Sequence, residues 1–194
     1  MSGTLTLVTG TTFEPVTRTE AKVWLRLDES ETAEDTLIDS LIVLARSRVE
    51  SYARVSLLQQ TYDYYLDEEP CDTVIDLPRA PVVSVTSIKA FQSSEQTDTG
   101  GTAMSSSDYY VDTVNDRVMP MSGATYPTAT REINGFVIRF VAGYSTASTG
   151  VPDSAKTAIK QLVAYGYRNR GDVPDTMPAE IVETLSDFAL PEWG

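Results

Sequence analysis

The sequence predicts an α+β fold: a helical body, made of an N-terminal helix pair and a long C-terminal helix, with a central antiparallel β region at about 61–141. Two patterns carry that expectation. Apolar residues recur at helical spacing over 17–55 and again from 151, whereas 61–141 is rich in β-branched and aromatic residues and is broken by Pro, Asp and Gly. A chain of 194 residues with 41% hydrophobic and 22% charged residues has enough apolar material for an ordinary globular core. The expected organisation is one domain over 1–186 and a tail at 187–194.

Thr17 and Glu20 have the spacing of a capping box, in which each side chain satisfies a backbone donor at a helix start. Ala21, Trp24 and Leu25 then share a face, and a helix of about three turns ends near Leu27. The acidic stretch 28–35 opens a longer helix, 33–55, with Leu37, Ile38, Leu41, Ile42, Ala45, Val49 and Tyr52 at helical spacing. Acids gather at its start and Arg46, Arg48 and Arg54 towards its end, as the helix dipole favours. The acids of 28–35 read as helix-start and solvent groups rather than metal ligands.

From Thr61 the period changes. Strands are expected at 61–67 (TYDYYLD), 73–78 (TVIDLP) and 82–91 (VVSVTSIKAF), with 77–81 a turn stiffened by two prolines. The polar stretch 92–107 reads as a long loop, the kind that is functional or disordered in compact domains. Strands 109–112 and 117–119 pair through Val114, Asn115 and Asp116. A strand at 133–141 alternates Phe136, Ile138 and Phe140 with Val137, Arg139 and Val141, which leaves Arg139 as the polar exception on its face. Val151 and Pro152 open the last long helix, with Ala155, Ala158, Ile159, Leu162, Val163 and Gly166 as its stripe and Gly171 as its stop. A short helix from about Pro178 carries Ile181, Val182, Leu185 and Phe188, and Pro191 ends it.

Composition excludes several chemistries. Histidine is absent and Cys71 is the sole cysteine, so there is no disulfide, no CxxC zinc site and no His-assisted nucleophile. Cys71 lies between Pro70 and Asp72 in an acidic turn that opposes thiolate formation. A formal charge of −13 disfavours a protein that grips phosphate backbones. The start, MSGTLTLVTG, has no basic n-region, and the longest apolar run, 41–45, is far too short to span a bilayer, so synthesis and residence in the cytoplasm are expected.

Two framing segments, 15–29 (PVTRTEAKVWLRLDE) and 141–170 (VAGYSTASTGVPDSAKTAIKQLVAYGYRNR), belong to an ordered series of motifs. Pro15 and Val16 precede an A-K-x-x-L-R-x-D run at Ala21, Lys22, Leu25, Arg26 and Asp28. Tyr52, Gln60 and Thr61 follow, then Leu77, Pro78 and Pro81 before S-V-T-S-I at 84–88. Tyr109, Tyr110, Val111 and Asp112, then Ala142, Gly143 and Tyr144, lead to a V-P-led helix that closes at Tyr167, Asn169 and Arg170. In this order, over nearly the whole chain, the sequence resembles the head-tail connector proteins of tailed bacteriophages, the gp6-like family. It departs from them in its acidic balance and its Ser/Thr/Gly-rich central loops.

The resemblance implies an adaptor without enzymatic activity or cofactor, located in the neck of a phage, prophage or phage-derived particle such as a gene transfer agent, and made in the bacterial cytoplasm. About twelve copies would form a ring between the portal protein and a tail stopper or tail terminator, extending the DNA channel. DNA would pass without specific binding, and no membrane is involved. A ring of that size carries on the order of 150 excess negative charges, which either line the channel and repel DNA or simply face solvent.

Ring contacts are heterologous, one patch meeting a different patch of the neighbour. The candidates are the helix 33–55, with Arg46, Arg48, Tyr52 and Arg54, and opposite it the β region with its loops. Phe188, Leu190 and Trp193 are candidate portal-docking anchors on an acidic surface, with the folding of Trp193 back onto its own domain left open. The stretch 92–107 is a second docking candidate, or a solvated loop. Two competing classes remain. A carboxylate enzyme would draw on Asp67, Glu68, Glu69 and Asp72, which lie in a turn without an evident pocket or phosphate loop; a tail-completion or other neck protein would differ in oligomeric behaviour.

Overall fold

The computed structural model describes residues 3–68, 70, 74–95, 97–169 and 176–186. The chain divides into two compact units, 1–10 with 59–143 and 11–58 with 144–194. The mixed α+β class is observed, with antiparallel sheets in the first unit and helices in the second.

The first unit contains a five-stranded sheet in the order β1 (Thr4–Thr9), β2 (Gln60–Leu66), β8 (Phe136–Ala142), β4 (Val82–Ala90), β5 (Thr102–Ala103), every pair antiparallel. A three-stranded sheet orders β3 (Ile75–Asp76), β7 (Arg117–Pro120), β6 (Tyr109–Asp112). The central strand β8 decides the core. Phe136, Ile138 and Phe140 are fully buried on one face and oppose Leu66, Tyr64 and Tyr62 of β2 in register, with the Tyr62 and Phe140 rings stacked at 5.7 Å. Burial of each such side chain stabilises by roughly 1.5–3 kcal/mol. Ile75, Tyr109 and Val118 join the same cluster.

On the other face of β8, Arg139 is no exception to the pattern. Its guanidinium grips Asp63, its register partner on β2, through two hydrogen bonds of 2.7 Å, and the Asp63 hydrogen bond and charge raise the already high Arg139 pKa. β8 begins at Phe136, three residues later than expected, because Asn134 is left-handed (φ 51°) and Gly135 makes a close approach: a Cβ there would sit 2.2 Å from the Arg131 carbonyl oxygen. The stretch 92–107 is more ordered than a plain loop. It contains β5, and the Glu95 carboxylate accepts the Gln92 and Gly101 N–H groups at 2.7 Å each, which holds its pKa below the usual range. The stiff turn before β4 contains a cis Ala80–Pro81 bond.

The second unit contains α1 (Arg18–Leu25), α2 (Asp35–Ala53), α3 (Asp153–Arg168) and α4 (Ala179–Leu185). α2 packs on α3 and on α1, and α4 on α3. The buried stripe of α2, Ile38, Leu41, Ile42, Ala45, Val49 and Ala53, follows the helical period, as do Ala155, Ala158, Ile159, Leu162, Val163 and Gly166 of α3. The Gly171 stop and Phe188 lie outside the described residues.

Candidate functional site

With no catalytic group to follow, the candidate site is built from the second unit's polar framework and from the surfaces that framework leaves uncovered. The framework starts at the capping box. Thr17 N–H and Oγ1–H both donate to Glu20 Oε2, at 2.7 and 2.8 Å, while Glu20 N–H donates to Thr17 Oγ1 at 3.2 Å. α1 ends two residues before Leu27 because Arg26 turns left-handed (φ 59°). The Arg26 and Leu27 N–H groups then close on the Val23 and Lys22 carbonyls, a Schellman stop without glycine.

This stop explains the A-K-x-x-L-R-x-D run. Ala21 and Lys22 are the buried positions of α1, and Lys22 is only 4% exposed. Its ammonium donates to the carbonyls of Glu29 (3.3 Å) and Glu31 (2.5 Å) and meets Asp35 Oδ1 at 2.5 Å as an ion pair rather than an aligned hydrogen bond. Arg18 reaches the same helix start, at Asp35 and Asp39, and Asp28 closes an Asx turn on Ser30. The Ser30 hydrogen bonds hold the Asp28 carboxyl below its usual range, and the Arg18 hydrogen bond does the same for Asp39. The Tyr167 hydroxyl hydrogen-bonds Glu34, tying α3 to the same turn. The motif residues of 18–39 therefore fasten α1 to the start of α2, and the acids of 28–35 serve that joint.

A second cluster locks the middle of α2. Arg46 donates to Glu14 Oε2 (2.6 Å) and Glu50 Oε2 (2.7 Å), and Glu50 Oε1 accepts the buried Leu57 N–H at 2.8 Å. Burial alone would lower the Arg46 pKa; the Glu14 hydrogen bond and the two carboxylate charges outweigh it and hold it up.

Of the sequence-derived contact residues, Arg46 is thus engaged inside its own unit, with its side chain 14% exposed. Arg48 is half-buried and has a partner. Arg54 is the left-handed C-cap of α2, and Tyr52 is exposed. Phe188, Leu190 and Trp193 lie outside the described residues, as do Cys71, Glu69 and Asp72. Trp24, expected beside Ala21 on an inward face, is instead 47% exposed. The inward direction of α1 is set by Arg18, Ala21, Lys22 and Leu25, which leaves Trp24 at the side, where it lines an open groove of about 840 Å³ with Val23, Lys160 and Arg168. Lys160 Nζ lies 5.9 Å from the Trp24 ring centre.

Among the described residues, no group of three or more His, Cys, Asp or Glu could hold a metal. No described helix is long and apolar enough to cross a membrane. Asp67, from the acidic turn, accepts the Asn134 N–H at 3.0 Å, a structural role.

No family model matches the chain, and no curated protein does. Solved structures do. A chain in the virion of a native gene transfer agent (GTA) particle is 21% identical with a TM-score of 0.78, over 97% of this chain and 96% of that one. A chain in the neck of an empty GTA particle, computed with C6 symmetry, is 22% identical with a TM-score of 0.79, over 98% and 97%. A chain in the neck of a native GTA particle, computed with C12 symmetry, is 20% identical with a TM-score of 0.70, over 98% and 97%. At these identities the likeness shows a shared fold along essentially the full length of both chains.

Proposed function

We propose that this chain is a structural head-tail connector: an adaptor of about twelve copies in a ring between portal and tail stopper or tail terminator, in the neck of a phage-like particle. The single observation that carries the proposal is the end-to-end likeness to chains of GTA virions and necks, one of them solved with C12 symmetry. The internal use of the polar side chains supports it, since the charged clusters of the second unit brace helices and leave surfaces for contact. The role is mechanical, without cofactor or catalysis: the ring extends the DNA channel, and an acidic chain of −13 lets DNA pass unbound. In this proposal 1–186 is the adaptor body, with its helices as the ring's frame, and 187–194 docks on the portal through Phe188, Leu190 and Trp193.

The test is the mass and symmetry of the purified protein with and without the portal of its own particle, by light scattering and electron microscopy. A ring stacked on the portal is expected. A protein that ignores the portal and binds tube ends belongs to the tail-completion class instead. Deletion of 187–194 is expected to abolish portal binding and leave the circular dichroism spectrum unchanged; undiminished binding removes the docking role from the tail.

A further inference from the structure

The outward face of α2 carries no charge. Its exposed apolar residues are Leu37, Val43, Leu44 and Tyr52, and the other exposed positions are all Ser or Thr. A chain with 28 acidic and 15 basic residues ordinarily gives the solvent face of a 19-residue helix to Lys and Glu. The charges that α2 does have are turned inward or sideways: Asp35 and Asp39 to Arg18, Arg46 and Glu50 to each other, and Arg48 half-buried and engaged. Leu44 is 42% exposed with nothing described over it.

A second surface of the same kind lies on the other unit. Tyr110 and Met119 are direct register partners on β6 and β7, both exposed, and Met121 continues the row. The charges at the far end of that face, Asp112 and Arg117, are closed on each other at 2.8 Å, with Asp76 beside Arg117 in register. The third uncharged surface, the free edge of β1, offers unpaired backbone groups and so suits an added strand. A helix has its interior backbone groups already bonded and is covered through side chains, so the partner of α2 is a side-chain face.

We propose that the α2 face of one copy packs on the β6–β7 face of a second copy, Leu44 and its neighbours against Tyr110, Met119 and Met121. This inference rests on the ring reading and names its contact. Two chains of −13 repel over most of their surfaces, so close contact falls where neither side brings a net charge. The two faces differ, so each copy offers one and receives the other, which is the heterologous geometry a ring needs.

The experiment compares the wild type with Leu44→Glu, Met119→Lys and the double variant. Assembly on the portal is read by mass photometry, and folding by circular dichroism. Both sites are exposed, so folding is expected to survive. Each single variant is expected to raise the concentration needed for assembly by about tenfold or more. In the double variant every contact pairs Glu with Lys, and assembly is expected to recover most of that loss. Single variants that assemble like the wild type overturn the contact and leave the connector reading standing. Single defects that add in the double variant overturn the pairing of these two faces. A wild type that never enters a ring defeats the connector reading itself, and the contact with it.

Discussion

Glu50→Ala is expected to be among the most damaging single changes in the second unit. Glu50 is 6% exposed and serves two donors, Arg46 Nη1 at 2.7 Å and the N–H of fully buried Leu57 at 2.8 Å. Truncation leaves the Leu57 N–H without its acceptor, which costs about 1–3 kcal/mol. It also removes one of the two carboxylates from a mostly buried guanidinium. Because Glu14 still holds Arg46, that part falls below the range for breaking a buried pair outright, at about 1–2 kcal/mol. The sum is about 2–4 kcal/mol. Glu50→Gln keeps an acceptor for Leu57 and loses only the charge, so about 1–2 kcal/mol is expected. Urea unfolding followed by tryptophan fluorescence reads the effect, since Trp24 lies in this unit. A loss under about 0.5 kcal/mol for Glu50→Ala, or equal losses for Ala and Gln, would refute the assignment of Glu50 as a buried two-donor acceptor.

Three further outcomes follow from the same framework. Lys22→Met strands two carbonyls and Asp35 and is expected to cost about 2–3 kcal/mol by the same assay; a change within 0.5 kcal/mol would mean the buried ammonium does not hold the joint. Thr17→Ala is expected to cost about 1 kcal/mol and Thr17→Ser only a few tenths, a gap that vanishes if the cap is not formed. Asp112 is expected to titrate at about 2 by carboxyl carbon NMR, because Asn115 and then Arg117 hydrogen-bond its charged form; Asn115→Ala should raise the midpoint more than Arg117→Ala. Its folded pKa is depressed from 3.8, so its stabilisation is present above about 3.8 and is lost as pH falls through about 2. Asp112→Asn should therefore flatten the fall in stability over that window.

Local features were legible in the sequence, and features set by distant partners were not. The capping box at Thr17 and Glu20 involves residues three apart and was read directly, as were the stripes of α2 and α3. β1 was not anticipated: its residues are nearly all exposed, and only its pairing with β2, more than fifty residues on, makes it a strand. The same limit hid the partner of Arg139, since Asp63 lies 76 residues away. Trp24 was placed inward because a tryptophan on a short helix suggests core, while the buried position went to Lys22, whose long stem carries its charge to the turn carbonyls. On α2 the arginines drew attention as contact residues. The uncharged positions between them became visible only once the outward face was known.

Each compact unit is made of two pieces of chain, 1–10 with 59–143 and 11–58 with 144–194. That interleaving sets an order of events during synthesis. β1 emerges first and waits for β2, and both wait for β8, the strand that joins β2 to β4 and begins only at Phe136. α1 and α2 are complete by Ala53 yet meet α3 only after Asp153. Neither unit is a segment that the ribosome can deliver finished while the other is still unmade. Such non-local pairing folds slowly and leaves apolar helix and strand faces open on the nascent chain. A chain stopped before Phe136 lacks the centre of one unit and a main wall of the other, so quality control at this one late strand and helix removes defective subunits whole.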